Sequence, residues 1–309
     1  MSFGPVERVL IASRAIWFYL SKIFWPSDLT FIYPRWQIDV ANPLAYFGLI
    51  AALAAALLIY YGRRWFGRGV EVAALFFVAT LSPLLGFIML YTFRYTFVAD
   101  HYQYLAGIGP IALASAGLVR LGESMRPTRW FLTGVSFIIL AFLGALTWRQ
   151  SATYRDLETL WGTTISKNPS CWMAYNNLGV LQFQKGDVDE AILKYKQSLR
   201  LNPDYPEARY NLGSALLQQG EVEGATKECE RAIELQPNDP DAHVILGNAF
   251  MAKQDLDRAI NEYQRALALR PEDGNAHYNL GVGLRQKGEI DRAAREFEKA
   301  RESEPPQER

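Results

Sequence analysis

The chain of 309 residues is poor in the side chains that build most metal and redox sites. It has two cysteines and three histidines, too few for a disulfide framework, and no second ligand stands at zinc-site spacing beside any of them. We therefore expect no metal or other cofactor. Excess charge is also missing, because 32 basic and 32 acidic side chains cancel. The charge balance predicts no nucleic-acid partner.

The zero net charge is an average over two unlike halves. Residues 1–150 carry 12 Lys and Arg against 6 Asp and Glu, a net of +6, and residues 151–309 carry 20 against 26, a net of −6. Apolar residues are spread just as unevenly. We expect two domains, the first in a membrane and the second outside it.

Charged residues are missing from four stretches of the first half: 40–62, 72–93, 102–119 and 130–148. At 23, 22, 18 and 19 residues, these stretches are long enough to cross a bilayer as helices. They predict a polytopic helical membrane domain over residues 1–150. The first and third connections are arginine-rich, with Arg63, Arg64 and Arg68 in one and Arg120, Arg126 and Arg129 in the other.

Arginine-rich short loops stay on the cytoplasmic side, so the second loop and everything after Trp148 are predicted to face outward. This places the second half on the periplasmic side of a bacterial inner membrane, or in the lumen of a eukaryotic compartment. Residues 5–25 form an amphipathic pattern with Arg8, Arg14 and Lys22 on one side. That pattern favours a helix lying on the membrane over a fifth span, although both remain open.

The second half repeats every 34 residues, in units 172–205, 206–239, 240–273 and 274–307. Each unit has leucine followed by glycine in its first half, then alanine and a bulky residue, and a proline near its end. The columns are Leu178, Leu212, Leu246 and Leu280; Gly179, Gly213, Gly247 and Gly281; Ala191, Ala225, Ala259 and Ala293; Tyr195, Cys229, Tyr263 and Phe297; Pro203, Pro237, Pro271 and Pro305.

This pattern is similar to tetratricopeptide repeats, which stack helical hairpins into a solenoid. The fold class is therefore all-α, a helical membrane domain followed by a repeat α-solenoid. Residues 151–171 match the end of a further unit, with Leu157, Trp161 and Pro169 in register. They predict a half-repeat that joins the last span to the array, and residues 302–309 predict a frayed tail.

The concave face of such an array is expected to bind extended polypeptide or a partner protein, because asparagine amides both donate and accept hydrogen bonds. The alternative is that these polar side chains are only solvated. The predicted binding residues are Asn177, Asn211, Asn279, Tyr210, Tyr278, Gln184, Gln218, Asn248 and Arg285. Cys229 is expected in the core, and His243 and His277 on hairpin surfaces.

The outward loop Phe97-Val-Ala-Asp-His-Tyr-Gln-Tyr104 crowds ionisable and aromatic groups at a helix start. Asp100, His101 and Tyr104 could orient a phosphate or a sugar, or Asp100 could simply cap the helix at headgroup depth.

This loop resembles one in the transmembrane and tetratricopeptide-repeat O-mannosyltransferases and their bacterial relatives, the C-type membrane glycosyltransferases. Asp100, Tyr104, Leu105, Ile108 and Gly109 match the family's pattern, whereas a histidine follows the aspartate where arginine is usual. The resemblance implies a lipid-phosphate-sugar donor, such as a polyprenyl-phosphate sugar, contacted by Asp100, His101 and Tyr104.

Family members place their catalytic acidic residues in the first outward loop, and the stretch before Val40 has only Asp28 and Asp39 there. We expect no transferase activity from this chain alone. Two functions follow: a membrane-anchored module that binds polypeptide, or a fragment or subunit of a protein O-glycosyltransferase that works beside a separate catalytic chain.

Overall fold

The computed structural model describes residues 4–26, 29–82, 106–125 and 129–303. Those residues form helices and connecting turns and contain no strand, which confirms the all-α class. The chain divides into two compact units, Met1–Cys171 and Trp172–Arg309.

The described residues of the first unit form six α-helices, and 3-10 turns at Pro43–Tyr46 and Ala152–Tyr154 precede α2 and follow α5. The helices are α1 Pro5–Phe24, α2 Phe47–Phe66, α3 Arg68–Leu81, α4 Ile108–Met125, α5 Arg129–Ser151 and α6 Leu157–Lys167.

Helix α1 packs its apolar stripe against protein. Leu10 and Ile11 are each 2% exposed, and Ala15 and Tyr19 are fully buried. Ile11, Ala15 and Tyr19 belong to a core with Tyr33 from the following segment and with α3 residues. The Phe18 ring packs edge-on against Tyr33 at 4.9 Å. An amphipathic helix on a membrane would turn this stripe toward lipid. Here the stripe packs on protein, and the position of residues 5–25 on the membrane stays a prediction.

Helix α2 is the opposite case, an apolar helix with no buried residue along its most apolar window. Among the described residues, Pro43–Trp65 is the helix that is long and apolar enough to cross a membrane, with a mean hydropathy of 2.1 over its best window and none of that window buried. Ile108–Arg120 is a shorter apolar helix. Helix α5 has 23 residues, and Phe137, Ile138 and Leu140 on it are about 70% exposed.

Helices α3 and α4 approach closely at Gly109. A Cβ atom on this residue would lie 2.7 Å from the carbonyl oxygen of Ala73, so any side chain would push the helices apart. Gly109 is one of the residues on which the family resemblance rests, and here its physical role is helix packing.

The segment before α2 packs against the end of α6. The Phe31 and Trp161 rings meet edge-on at 5.6 Å, and the Asn168 side-chain amide donates to the Ile32 carbonyl at 3.3 Å. Lys167 donates to the Leu29 carbonyl. Helix α6 thus belongs to the first unit, and the predicted half-repeat over residues 151–171 stays a prediction.

The second unit is four helical hairpins in succession. Their first helices begin at the first residue of each predicted repeat, and proline at N1 starts two of them, since that position needs no amide hydrogen. The helices are α7 Trp172–Gln184, α8 Val188–Leu201, α9 Pro206–Gln219, α10 Val222–Leu235, α11 Pro240–Ala252, α12 Leu256–Leu269, α13 Gly274–Gln286 and α14 Ile290–Glu302.

The glycine column is where the two helices of each hairpin touch. A Cβ atom on Gly247 would lie 2.5 Å from the Tyr263 ring, and one on Gly213 would lie 2.5 Å from the Cys229 sulfur. The turn between the helices also favours glycine, with Gly220 at φ +84° and Gln254 at φ +62° in the third hairpin. Gln254 therefore adopts a left-handed conformation that costs a side-chain-bearing residue about 1–2 kcal/mol.

The Gly213–Cys229 contact predicts a compensating pair of substitutions. Gly213→Ala should lower the free energy of unfolding by about 1–3 kcal/mol, because the new methyl group overlaps the sulfur. Adding Cys229→Ala should recover part of that loss, since it removes the overlapping atom. Urea unfolding followed by circular dichroism measures both effects.

Gly162→Ala is the matched control, because this helical glycine has open space around its Cβ position. It should stabilise α6 by up to about 1 kcal/mol. Strictly additive losses in the double variant would show that the close contact does not set the hairpin spacing.

Candidate functional site

The first helices of the hairpins form one layer of the array. Helices α7, α9, α11 and α13 contact one another in sequence, in addition to their hairpin partners. Layers whose helices approach more closely lie on the inside of a curved stack, so the first helices line the concave face. The predicted binding residues all lie on these four helices.

An amide ladder crosses the first two hairpins of this face. The Asn211 side chain donates to the Asn176 oxygen at 3.0 Å, and Asn176 donates to Glu207 at 3.1 Å and to the Asn177 oxygen at 3.4 Å. Asn176 is fully buried, whereas Asn177 and Asn211 are half-buried. Two of the predicted asparagines are therefore joined by one that we did not predict.

A second amide pair connects the last two hairpins. Asn279 donates to the Asn248 oxygen at 3.2 Å, and the Tyr263 hydroxyl donates to the same oxygen at 2.8 Å. Ile245 occupies the column position between Asn211 and Asn279, so the asparagines form two pairs and not one continuous row. The amides are thus held by neighbouring side chains, and their role in binding stays a prediction.

The remaining predicted residues differ in how open they are. Gln184 and Gln218 are exposed, and Tyr210 is half-buried. Burial and the nearby Glu207 carboxylate raise the pKa of the Tyr210 hydroxyl, which therefore stays a neutral hydrogen-bond donor.

A cavity of about 570 Å³ lies at the last hairpin, lined by residues of α13 and α14. The Tyr278 ring is 56% exposed and packs on Phe297 at 5.6 Å. The Arg285 guanidinium also lies over Phe297, 5.6 Å from the ring centre. Aromatic surface and a cation thus meet at this end of the inner face.

The outward-loop prediction is not tested by this structure. Asp100, His101, Tyr104 and Leu105 lie outside the described residues. Among the described residues, no group of three or more histidine, cysteine, aspartate or glutamate side chains converges on a metal position.

Cys229 is fully buried, as predicted for a core residue, and burial raises the pKa of its thiol to about 12.

The histidines contradict our expectation of a surface position. His243 is 4% exposed and His277 is 7% exposed. The His243 Nδ1 atom lies 2.6 Å from Glu262 Oε2, and its Nε2 atom lies 3.1 Å from the Pro237 carbonyl oxygen. Both ring nitrogens face acceptors, an arrangement that favours the imidazolium form with its two N–H donors.

The same arrangement recurs with the 34-residue period. His277 lies 2.6 Å from Glu296 and 2.9 Å from the Pro271 carbonyl. In the second hairpin Arg209 replaces the histidine and donates to Glu228 at 2.6 Å and to the Pro203 carbonyl at 2.7 Å. We call this cation, carboxylate and proline carbonyl the clasp; its cation lies 19 residues before its acid.

The clasps tie each first helix to its second helix and to the preceding turn. The pKa of His243 is raised, mainly because of its hydrogen bond to Glu262, and burial opposes this effect. Burial alone would raise the pKa of Glu296, but hydrogen bonds from His277 and Lys299 outweigh it and the net pKa is lowered. The 34-residue columns of cations and acids are the signal that could have revealed the clasp.

The family model of the tetratricopeptide repeat matches residues 179–220, 213–253 and 247–282. The array is built of tetratricopeptide repeats. This identification covers about a third of the chain and agrees with the columns and hairpins described above.

A curated relative matches this chain over a tetratricopeptide-repeat region. Protein O-mannosyl-transferase Tmtc2 of Drosophila melanogaster is 30% identical over 107 residues, which are 35% of this chain and 11% of that protein. The match thus spans about a tenth of the length of the relative.

Several solved tetratricopeptide-repeat proteins resemble part of the chain. The crystal structure of MamA is 26% identical with a TM-score of 0.43, over 50% of this chain and 91% of that one. The first repeat domain of Spaghetti bound to an HSP90 peptide is 26% identical with a TM-score of 0.37, over 38% and 93%. YrrB, described as having an unusual peptide-binding site, is 23% identical with a TM-score of 0.40, over 54% and 84%.

The clasp predicts how the stability of the repeats depends on pH. A raised pKa means that the folded state holds its proton more tightly than the unfolded chain, so the stabilisation by His243 is complete below the ordinary pKa of 6.5 and is lost as pH rises through the folded-state pKa. Denaturant unfolding between about pH 6 and about pH 9 should show this decline.

Two variants separate the charge of His243 from its shape. His243→Gln should cost about 1.5–3 kcal/mol at neutral pH, because it removes a charged hydrogen bond. His243→Arg copies the permanent cation of Arg209 and should flatten the contribution of this clasp to the pH dependence. A pH profile that His243→Arg leaves unchanged would contradict the protonated clasp.

Proposed function

We propose that this chain is a membrane-anchored tetratricopeptide-repeat protein whose inner repeat face binds extended polypeptide on the extracytoplasmic side. The observation that carries the binding role is the paired amide ladder on the first helices. A membrane domain of four spans, and the outward position of the repeats, belong to the same proposal.

The amide pairs leave hydrogen-bonding capacity for a ligand. Each carboxamide has two N–H donors and an oxygen with two lone pairs. Asn211 and Asn279 each use one donor toward a neighbouring hairpin, and both side chains remain partly accessible. Their oxygens can accept backbone N–H groups of a peptide. Because the pairing orients the amides beforehand, less conformational entropy is lost on binding.

The exposed apolar surface supports the membrane anchor. Leu44, in the turn before α2, is 79% exposed, Phe47 and Leu58 on α2 are 73% and 67% exposed, and Phe137 on α5 is 72% exposed. Monomeric soluble proteins rarely expose continuous apolar surface of this extent. Lipid would cover it in the membrane, since each helix satisfies its backbone hydrogen bonds internally.

The packing of α6 supports an even number of membrane crossings. Phe31 precedes α2 in the chain and Trp161 follows α5, yet their rings are in contact. If α2 and α5 cross the bilayer, this contact favours a common side for the segment that enters α2 and the segment that leaves α5. Four spans between residues 43 and 151 meet that requirement, and three would not.

A second candidate function is a subunit of a protein O-glycosyltransferase. The match to Tmtc2 over 107 residues favours it, together with the loop residues Asp100, Tyr104, Ile108 and Gly109. In that case the amide ladder presents the acceptor polypeptide to a separate catalytic chain. Asp100→Asn would then abolish sugar transfer by the reconstituted assembly and leave polypeptide binding intact.

The binding role predicts the effect of removing the ladder. Combined Asn177→Ala, Asn211→Ala and Asn279→Ala should weaken binding of an unfolded polypeptide, such as reduced and carboxymethylated α-lactalbumin, by tenfold or more. Each lost hydrogen bond contributes about 0.5–1.5 kcal/mol. Fluorescence anisotropy measures the affinity.

Asn261→Ala combined with Gln264→Ala is the matched control, because these exposed amides lie on the second helix α12. Binding should not change in that variant. Equal affinity of the ladder variant and the original chain, with helicity preserved, would remove the inner face from the proposal.

Sidedness is tested by cysteine labelling, because both native cysteines are buried. A membrane-impermeant maleimide should label Asn261→Cys in intact cells. It should label Gly69→Cys, in the arginine-rich first connection, only after permeabilisation. The opposite pattern would place the repeats in the cytoplasm.

A further inference from the structure

Arg14 is a cation that no carboxylate of the described residues holds. Its side chain is exposed, and in the described part of the chain no acidic group lies within ion-pair distance of it. The guanidinium carbon lies 4.7 Å from the centre of the Trp36 ring. Stacking fixes the plane of the guanidinium while its N–H edges remain available to an anion.

Arg14 borders an apolar cavity of about 410 Å³ between α1 and the start of α2. Besides Arg14, the lining consists of Trp17, Gly48 and the apolar residues Leu44, Ala45, Phe47 and Ala51. The Trp17 indole N–H donates to the Gly48 carbonyl at 2.9 Å, so the one polar hydrogen of that ring is already used. The cavity therefore offers a single cation at the edge of an apolar groove.

The groove opens where the apolar surface of the first unit begins. Leu44 and Phe47, on the groove, are 79% and 73% exposed, and they start the helix that is long and apolar enough to cross a membrane. If α2 crosses the bilayer, Arg14 lies at headgroup depth and Ala51 one turn deeper. An amphiphile with an anionic head matches this order of charge and apolar surface.

We propose that Arg14 and this groove form a binding site for an anionic diacyl phospholipid, with the phosphate on the guanidinium and an acyl chain along Phe47 and Ala51. The inference rests on the proposed membrane anchor. A guanidinium recognises phosphate through charge-assisted hydrogen bonds. Asp39 borders a neighbouring cavity of about 220 Å³ that also reaches Arg14, so its negative charge directs the phosphate toward the Trp17 side.

Native mass spectrometry of the full chain, released from nanodiscs of equal phosphatidylglycerol and phosphatidylcholine, tests the site. The original chain should retain phosphatidylglycerol in preference to phosphatidylcholine by about ten- to hundredfold, the size of one or two charged hydrogen bonds. Arg14→Gln should abolish that preference, and Arg14→Lys should keep part of it.

Arg64→Gln is the matched control, since Arg64 lies in the last turn of α2 at its other end. It should leave retention unchanged. An equal loss in Arg64→Gln, or no lipid preference in the original chain, would overturn the proposal. Displacement of the lipid by millimolar inorganic phosphate alone would also overturn it, because the acyl groove would then contribute nothing.

Ala51→Trp provides an independent test of the lipid site if Arg14→Gln fails to fold. The larger side chain fills the groove without changing any charge, and it should lower retention of phosphatidylglycerol. Unchanged retention would rule out the acyl position. A chain that does not enter nanodiscs at all would refute the membrane anchor, whereas a chain that enters them without lipid preference refutes the lipid site alone.

Discussion

Contact between a glycine on each first helix and a bulky side chain on the second helix sets the geometry of the repeat array. At Gly247 a single added carbon would lie 2.5 Å from the Tyr263 ring, so the helices of a hairpin are as close as their backbones permit. The same column in every hairpin gives the stack a constant step. That step brings Asn211 within 3.0 Å of Asn176 on the preceding hairpin. The polar inner face is thus a consequence of apolar packing between the layers.

The clasp secures the same geometry from the polar side. In three successive hairpins one cation joins a carboxylate of the second helix to the carbonyl of the proline that ends the preceding unit. Removing one member would leave the other charge buried without a partner, which is far more costly than losing a surface ion pair. Arginine serves in the second hairpin and His243 in the third, where the raised pKa of His243 makes the stabilisation depend on pH.

The sequence predicted the features that repeat every 34 residues. It did not predict contacts between residues at two different positions of the repeat. The 34-residue period predicted the hairpins and their starts at Trp172, Pro206, Pro240 and Gly274. It did not reveal Asn176, which reaches Asn211 across 35 residues, or the burial of His243, which only an acceptor on each side of the ring makes favourable. For α1 the pattern predicted a helix with an apolar side, but a helical wheel cannot distinguish lipid from the protein core around Tyr33.

The apolar surfaces of the two units are covered in different ways. Each repeat hairpin covers the apolar side of its neighbour, and Tyr195 and Tyr263 are each 1% exposed, so the array carries its own core in water. Helix α2 has no buried residue along its apolar window, and under the proposed membrane anchor lipid would cover the surface that protein leaves open. Arg14 on α1, which pairs with no carboxylate of the described residues, borders the start of α2 and stacks on Trp36. Under the proposed membrane anchor this position suits the boundary between lipid and water. Arg14 is thus one of the excess cations of residues 1–150, and its place is beside the start of α2.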